Sequence, residues 1–199
     1  MKAKEAREDG RVTVADLERT LRMIDAPSAN PRQKMDWLTT AGADLRSIRR
    51  RIACQIARHM PTQREDPLAA EAVRVTERHA GGYADDGELE EVRERIRGAT
   101  WGQEQVSSPR LWERIRGMAW LAAVATADVE PALALEKTSR FAGEVARAIE
   151  IVREAKRIGG AATDEEIEEA YVRACAAAEA VLGAQLEIAG QVIREWLEG

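Results

Sequence analysis

Thr163 to Leu197 reads TDEEIEEAYVRACAAAEAVLGAQLEIAGQVIREWL. Thr163 and Glu166 form a T-x-x-E capping box, the reciprocal arrangement that starts a helix by satisfying two of its free backbone donors. No proline follows, and Ile167, Tyr171, Ala174, Ala178, Val181, Gln185, Ile188 and Val192 succeed one another at spacings of four and three. That spacing is a heptad-like seam on one helix face. About 34 residues of it, at 1.5 Å per residue, make a rod of roughly 50 Å. Ala176, Gly183 and Gly190 recur every seventh residue on a neighbouring line, where small side chains let another helix backbone come close. The seam serves one of two ends. It packs on the preceding helix of the same chain, the usual fate of antiparallel neighbours joined by a short loop, or it forms a homodimer across residues 167–192.

Working outward, Phe141, Val145, Ile149 and Val152 place a helix from the break at Pro131 to about Ile158, closed by Gly159 and Gly160. All six prolines fall at boundaries of this kind, as an all-helical chain requires, because an interior proline costs about 3 kcal/mol. Thr13 and Asp16 open the first helix, which runs to about Ile24; Asn30, Pro31 and Gln33 open a second ending near Gly42. Asp44 opens a third, with Leu45, Ile48, Ile52, Ile56 and Met60 on one face and Pro61 as its stop. Asp66 and Pro67 start a fourth that closes at Gly81 and Gly82, and Asp85 with Glu88 starts a fifth that ends at Gly98. Residues 99–108 are polar, contain a glycine and lack periodicity, so they are expected to form a hinge or exposed loop. Ser108 and Pro109 restart the chain. Leu111, Trp112, Ile115, Met118 and Leu121 then lead into the longest apolar run, and both Trp112 and Trp120 are read as core. The expectation is an all-α bundle of about seven to eight helices, a single domain over 13–199, with residues 1–12 frayed.

Composition agrees. Alanine fills 36 of 199 positions, charged residues make up 33%, and there are only five Trp, two Tyr and one Phe, so helix formers dominate and the residues that strands favour are scarce. The apolar run Met118 to Ala127 is about half the length a membrane span needs. Met1 to Arg11 is charged, with no secretory h-region, and a cytoplasmic location without membrane contact is expected. Cys54 and Cys175 lie in separate helices without CxxC spacing and are read as reduced thiols packed in the interior.

The net charge of −5 conceals a division: through Arg64 there are 14 Lys and Arg against 8 Asp and Glu, and from Glu65 onward 16 against 27. The positive part concentrates on the third helix, as Arg46, Arg49, Arg50, Arg51 and Arg58, followed by Arg64, with no acid between Asp44 and Glu65. Five such arginines on phosphates would give a log-log salt slope of about −4.5, but the aromatics that stack on single strands are missing. Two acidic blocks, Asp85 to Glu94 and Asp164 to Glu169, offer partners within the bundle, and a protein partner is the other candidate. Trp101, in the expected loop, has the character of an interface anchor. Arg110 and Arg114 sit at the positive end of their helix, which calls for an acidic neighbour inside the protein or on a partner.

Catalytic signatures are sparse. Glu5 to Asp16 has the outline of an EF-hand loop, but Arg7 stands where a hard cation needs oxygen and no bidentate Glu closes it. Neither histidine has metal-ligand spacing, so no metal and no cofactor are expected. Glu77, His79, Tyr83, Asp85 and Asp86 are the densest group of acids and bases near a loop, although helix capping explains much of it.

The segments RRRIACQIARHMP (49–61), AEAVRVTERHAGG (70–82) and GELEE (87–91) together resemble a set of uncharacterised bacterial helical proteins. In those, an Arg-rich, Cys-containing helix precedes a Pro/Asp linker and a helix that ends before an E-L start. The resemblance implies a helical bundle with no established activity and transfers no functional residue. Acidic helical proteins of this size include immunity proteins, which is analogy at the level of fold. The expected function is therefore a non-catalytic module that binds another protein, as an adaptor or immunity component. The alternatives are a nucleic-acid-associated protein using Arg46 to Arg58, and a small enzyme with its site at Glu77, His79 and Asp85.

Overall fold

The structure, a computed structural model, describes residues 13–40, 45–60, 66–99, 101–108, 110–160 and 163–198. Among them are nine helices and no strand: α1 (Val14–Asp25), α2 (Pro31–Thr40), α3 (Arg46–Arg58), α4 (Pro67–Ala80), α5 (Asp86–Arg97), α6 (Trp101–Val106), α7 (Leu111–Ala125), α8 (Pro131–Ile158) and α9 (Asp164–Glu198). The all-α bundle with a long C-terminal helix is what the periodicity predicts. No helix among the described residues is long and apolar enough to cross a membrane. Residues 1–12, expected to fray, and Gly42, Asp44, Pro61, Arg64 and Pro109 lie outside the described residues.

Five of the expected helix starts are made by the expected side chains, whereas α3 and α7 begin at Leu45 and Arg110 with no side-chain cap. Thr13 and Asp16 exchange backbone-to-side-chain bonds of 3.2 Å each, Asn30 and Gln33 do the same at 3.3 and 2.9 Å, and Thr163 and Glu166 close the box that begins α9. Asp66 accepts from the Ala69 amide at 2.8 Å and Asp85 from Glu88 at 2.9 Å. Each spares a terminal N–H from going unpaired, worth about 1 kcal/mol.

Three groups of side chains form the interior. Leu17 (α1), Leu38 (α2), Ile48 and Ile52 (α3), Leu135 (α8) and Ile193 (α9) make the first. Cys54 and Ala57 (α3) join Val73 (α4), Leu89 and Val92 (α5) and Trp120 (α7) in the second. Ile115 and Ala119 meet Val145 and Ala148 where α7 crosses α8. Helix α3 feeds two of these groups from different faces, so little of its circumference remains for solvent. Cys54 is fully buried, its Sγ 3.7 Å from the Val73 carbonyl, and burial, reinforced by the Glu77 charge, pushes its thiol up to about 12. In the native protein Cys54 is expected to resist a thiolate-specific reagent at pH 8 and to label only at the rate of global unfolding. Labelling as fast as a short thiol peptide would contradict this burial. Its pKa is raised above the unfolded value, so protonated Cys54 contributes stability in full below the unfolded pKa and loses that contribution as pH climbs through 9 toward 12.

Two expectations need correction. The stretch read as a loop at 99–108 contains helix α6, because Gly102, which looks like a helix breaker, is what lets this short helix lie against α7. A side chain on Gly102 would meet the Trp120 ring at 2.0 Å, and one on Gly117 would meet the backbone of α6 at 2.7 Å. Trp112, read as core beside Trp120, is 54% exposed. Eight residues advance a helix by about 80° beyond two full turns, enough to put one indole inside and the other out.

Candidate functional site

The fold divides the arginines of α3. Arg49 is 4% exposed and Arg50 6%. The Arg49 Nε donates to the Leu38 carbonyl at 2.8 Å. Arg50 reaches the end of α7, donating from Nη2 to the Val129 carbonyl at 2.9 Å and from Nη1 to that of Thr126 at 3.5 Å. Arg93 of α5 donates to the two carbonyls between them, Ala127 at 2.6 Å and Asp128 at 3.2 Å. Two guanidinia thus serve four successive carbonyls where α7 ends and its dipole is negative. Burial, and after it the Arg93 charge, push Arg50 below the ordinary arginine range; burial lowers Arg49 too, against the pull of Glu130.

Arg58 pairs with Glu77 of α4, which leaves Arg46 exposed and Arg51 half-buried. Of the five arginines grouped from the sequence, two remain once the buried and paired members are removed, and five residues apart they stand about 140° from each other around α3. Two phosphate contacts would give a salt slope of only about −1.8.

The other candidates are spread over the bundle. Arg110 finds its acidic neighbour one turn along its own helix, in Glu113 at 3.0 Å. Arg114 is exposed on α7. Trp101 is the first residue of α6, and its side chain lies outside the described residues. Within the acid-base group, Glu77 faces Arg58 and Gln55 of α3, His79 Nε2 lies 2.8 Å from Asp86, Asp85 caps α5 and Tyr83 is exposed. Each has a separate engagement, so they do not converge on one reacting atom. Among the described residues no three His, Cys, Asp or Glu side chains gather to hold a metal ion.

The acidic blocks behave differently from each other. That on α5 is answered by arginines of α4 and α5: Arg78 with Glu88, Arg93 with Glu90 and Arg97 with Glu90 and Glu94. The block opening α9 is answered less fully, with Glu166 in the cap and Glu169 on Arg173 at 3.3 Å.

That second block lies on the feature sequence reasoning located only in outline. The lower half of the α9 seam is intrachain packing: Gln185, Leu186, Ala189 and Val192 are buried, with Gln185 bonded to Ser139 of α8. The first part of the seam, ahead of the buried Ala174, is not. From Arg153 through Arg173 the one buried residue among those described is Glu154, whose Oε2 joins Arg157 at 2.7 Å and Arg173 of α9 at 2.9 Å. The bond from Arg157, with that from Arg173, holds this carboxylate below the ordinary glutamate range. Above that clasp the tip of the α8–α9 hairpin bears an apolar groove of about 340 Å³, lined by Ile151, Ile158, Ile167 and Tyr171. Ile167 is 56% and Tyr171 64% exposed. The small-residue line is not used for close approach at Gly183, where a side chain would have nothing within 4 Å.

Set against protein-family models, curated proteins and solved structures, the chain matches none of them, and the resemblance across residues 49–91 has no family model behind it.

Proposed function

We propose that this protein is a non-catalytic interaction module of the cytoplasm, which binds a protein with a basic and apolar surface through the tip of the α8–α9 hairpin. The observation that carries this is the exposed start of a seam, Ile167 and Tyr171, whose lower half is core. The same four-three pattern continues, but from Ile167 to Tyr171 no helix among the described residues buries it, and contiguous exposed apolar surface marks interaction sites. Asp164, Glu165 and Glu168 are exposed on the first turns of α9, the stretch that carries Ile167 and Tyr171. They would steer a basic partner and set its register. Adaptor and immunity roles both consist of covering a partner in this way.

The same groove favours one second reading, self-association through part of the 167–192 seam. Charge weighs against it, because residues 153–173 hold six acids and four bases and two tips would bring like charges together.

Photo-crosslinking from position 171 in the cells that make the protein tests both. The expected result is an adduct with a basic protein that disappears in Ile167→Glu and is absent when the crosslinker stands at Trp112. Loss of binding should be tenfold or more, as for truncation of an interface anchor worth about 2 kcal/mol, with thermal stability unchanged. An adduct only with a second copy would establish the dimer instead, and no adduct at all would remove the proposal.

A further inference from the structure

A second cavity, independent of the hairpin tip, opens between α5, α7 and α8. It measures about 560 Å³, inside the range of roughly 300 to 1,000 Å³ typical of small-molecule sites. Ile96, Leu121, Val124 and Phe141 give it apolar walls, while four cations, Arg93, Arg97, Lys137 and Arg140, stand against a single acid, Asp128. Most of that charge is already matched. Arg93 serves the end of α7, Arg97 pairs with Glu90 and Glu94, and Lys137 holds the Asp128 carboxylate at 2.5 Å.

Arg140 differs. It is exposed, its guanidinium carbon stands 5.0 Å from the centre of the Phe141 ring, and no ion pair joins it to another described residue. It follows Lys137 by one helical turn, so both cations lie on the same side of α8. An uncharged apolar occupant would leave this guanidinium unanswered at the rim, and a small inorganic anion would leave the apolar walls uncovered. We infer that the cavity binds an amphipathic anion, an aliphatic carboxylate of medium chain length. Its head group meets Arg140, and its chain lies along Leu121, Val124 and Phe141.

Calorimetric titration of the full chain with decanoate, below its micellar range, tests this against 1-decanol and decyltrimethylammonium, which share the chain but not the charge. Decanoate should bind at least about tenfold more tightly than the cation, the effect of one hydrogen bond to a charged group. Arg140→Glu should cut decanoate affinity by a similar factor and leave decanol affinity within about twofold. Arg153→Glu, an exposed cation elsewhere on α8, should change neither. Each methylene removed from the carboxylate should weaken binding by about two- to fourfold, and Leu121→Trp, with its melting temperature shown to be native-like, should abolish the heat of binding. Equal affinity for the cation, indifference to Arg140→Glu, or no heat with decanoate would each overturn the inference.

Discussion

Gly117→Ala is expected to destabilise the protein by about 2 kcal/mol and to loosen α6, against the usual rule that replacing a helical glycine by alanine gains up to about 1 kcal/mol. The new methyl would sit 2.7 Å from the Val106 nitrogen, 2.8 Å from the Gly102 carbonyl oxygen and 2.9 Å from the Gln105 Cβ. Two of those three atoms are backbone, so no rotamer change relieves them and α6 itself must move. A helix of six residues is far below the length that is stable alone, and it holds its form because Gly102 lies on Trp120 while Gly117 admits its backbone. Trp120 cannot easily yield. It is 5% exposed, with its indole nitrogen 3.1 Å from Asp66. Gly102→Ala should therefore have a similar effect from the other side, and Trp120→Leu should relieve the Gly102 variant more than the Gly117 variant. Hydrogen exchange should show the α6 amides losing protection while those of α3 keep theirs. A rise in melting temperature for Gly117→Ala would show that propensity outweighs the clash and that the two helices are less closely seated.

What could be read ahead of the structure divides by distance along the chain. The caps at Thr13, Asn30, Asp66, Asp85 and Thr163 were all legible because each joins residues three apart, and the side chain that starts a helix is visible beside the helix it starts. The arginines of α3 were misleading for the opposite reason. Arg50 finds its acceptors 76 and 79 residues away, and nothing near it in sequence distinguishes an arginine that will cap a distant helix from one that will face solvent. The α9 seam shows a third limit. Its pattern is uniform from Ile167 to Val192, whereas its burial depends on α1, α2 and α3 being present beside only the lower half. Periodicity predicts which face of a helix is apolar, and only the tertiary arrangement decides whether that face is core or contact surface. The hairpin groove was thus half visible, as a seam without a partner assigned.

Arg50→Met should cost about 2 kcal/mol in urea denaturation, and the size follows from what the substitution leaves behind. Methionine approximates the arginine stem, so the packing of α3 changes little. The Val129 carbonyl loses a charge-assisted bond of 2.9 Å and that of Thr126 a longer contact at 3.5 Å, and a hydrogen bond to a charged group is worth about 1.5 to 3 kcal/mol. Two gains oppose the loss: the guanidinium no longer needs to be desolvated, and Arg93 is freed of a like-charged neighbour. Arg50→Ala adds a cavity to the same loss and should cost about 1 to 2 kcal/mol more. Arg50→Lys keeps the charge but gives up the planar fork that reaches two carbonyls at once, so it should fall between wild type and methionine. Arg93→Met, at a half-buried position, should be milder than Arg50→Met, and the double variant should be worse than either, because the four carbonyls at residues 126–129 then have neither donor. If Arg50→Met matched wild type, the end of α7 would be held by other contacts, and the burial of a guanidinium between the two larger cores would need another cause. The expected ordering, alanine below methionine below lysine, instead makes the most basic helix of the chain an internal clamp, and it removes that helix from the surfaces on which a partner could be proposed to dock.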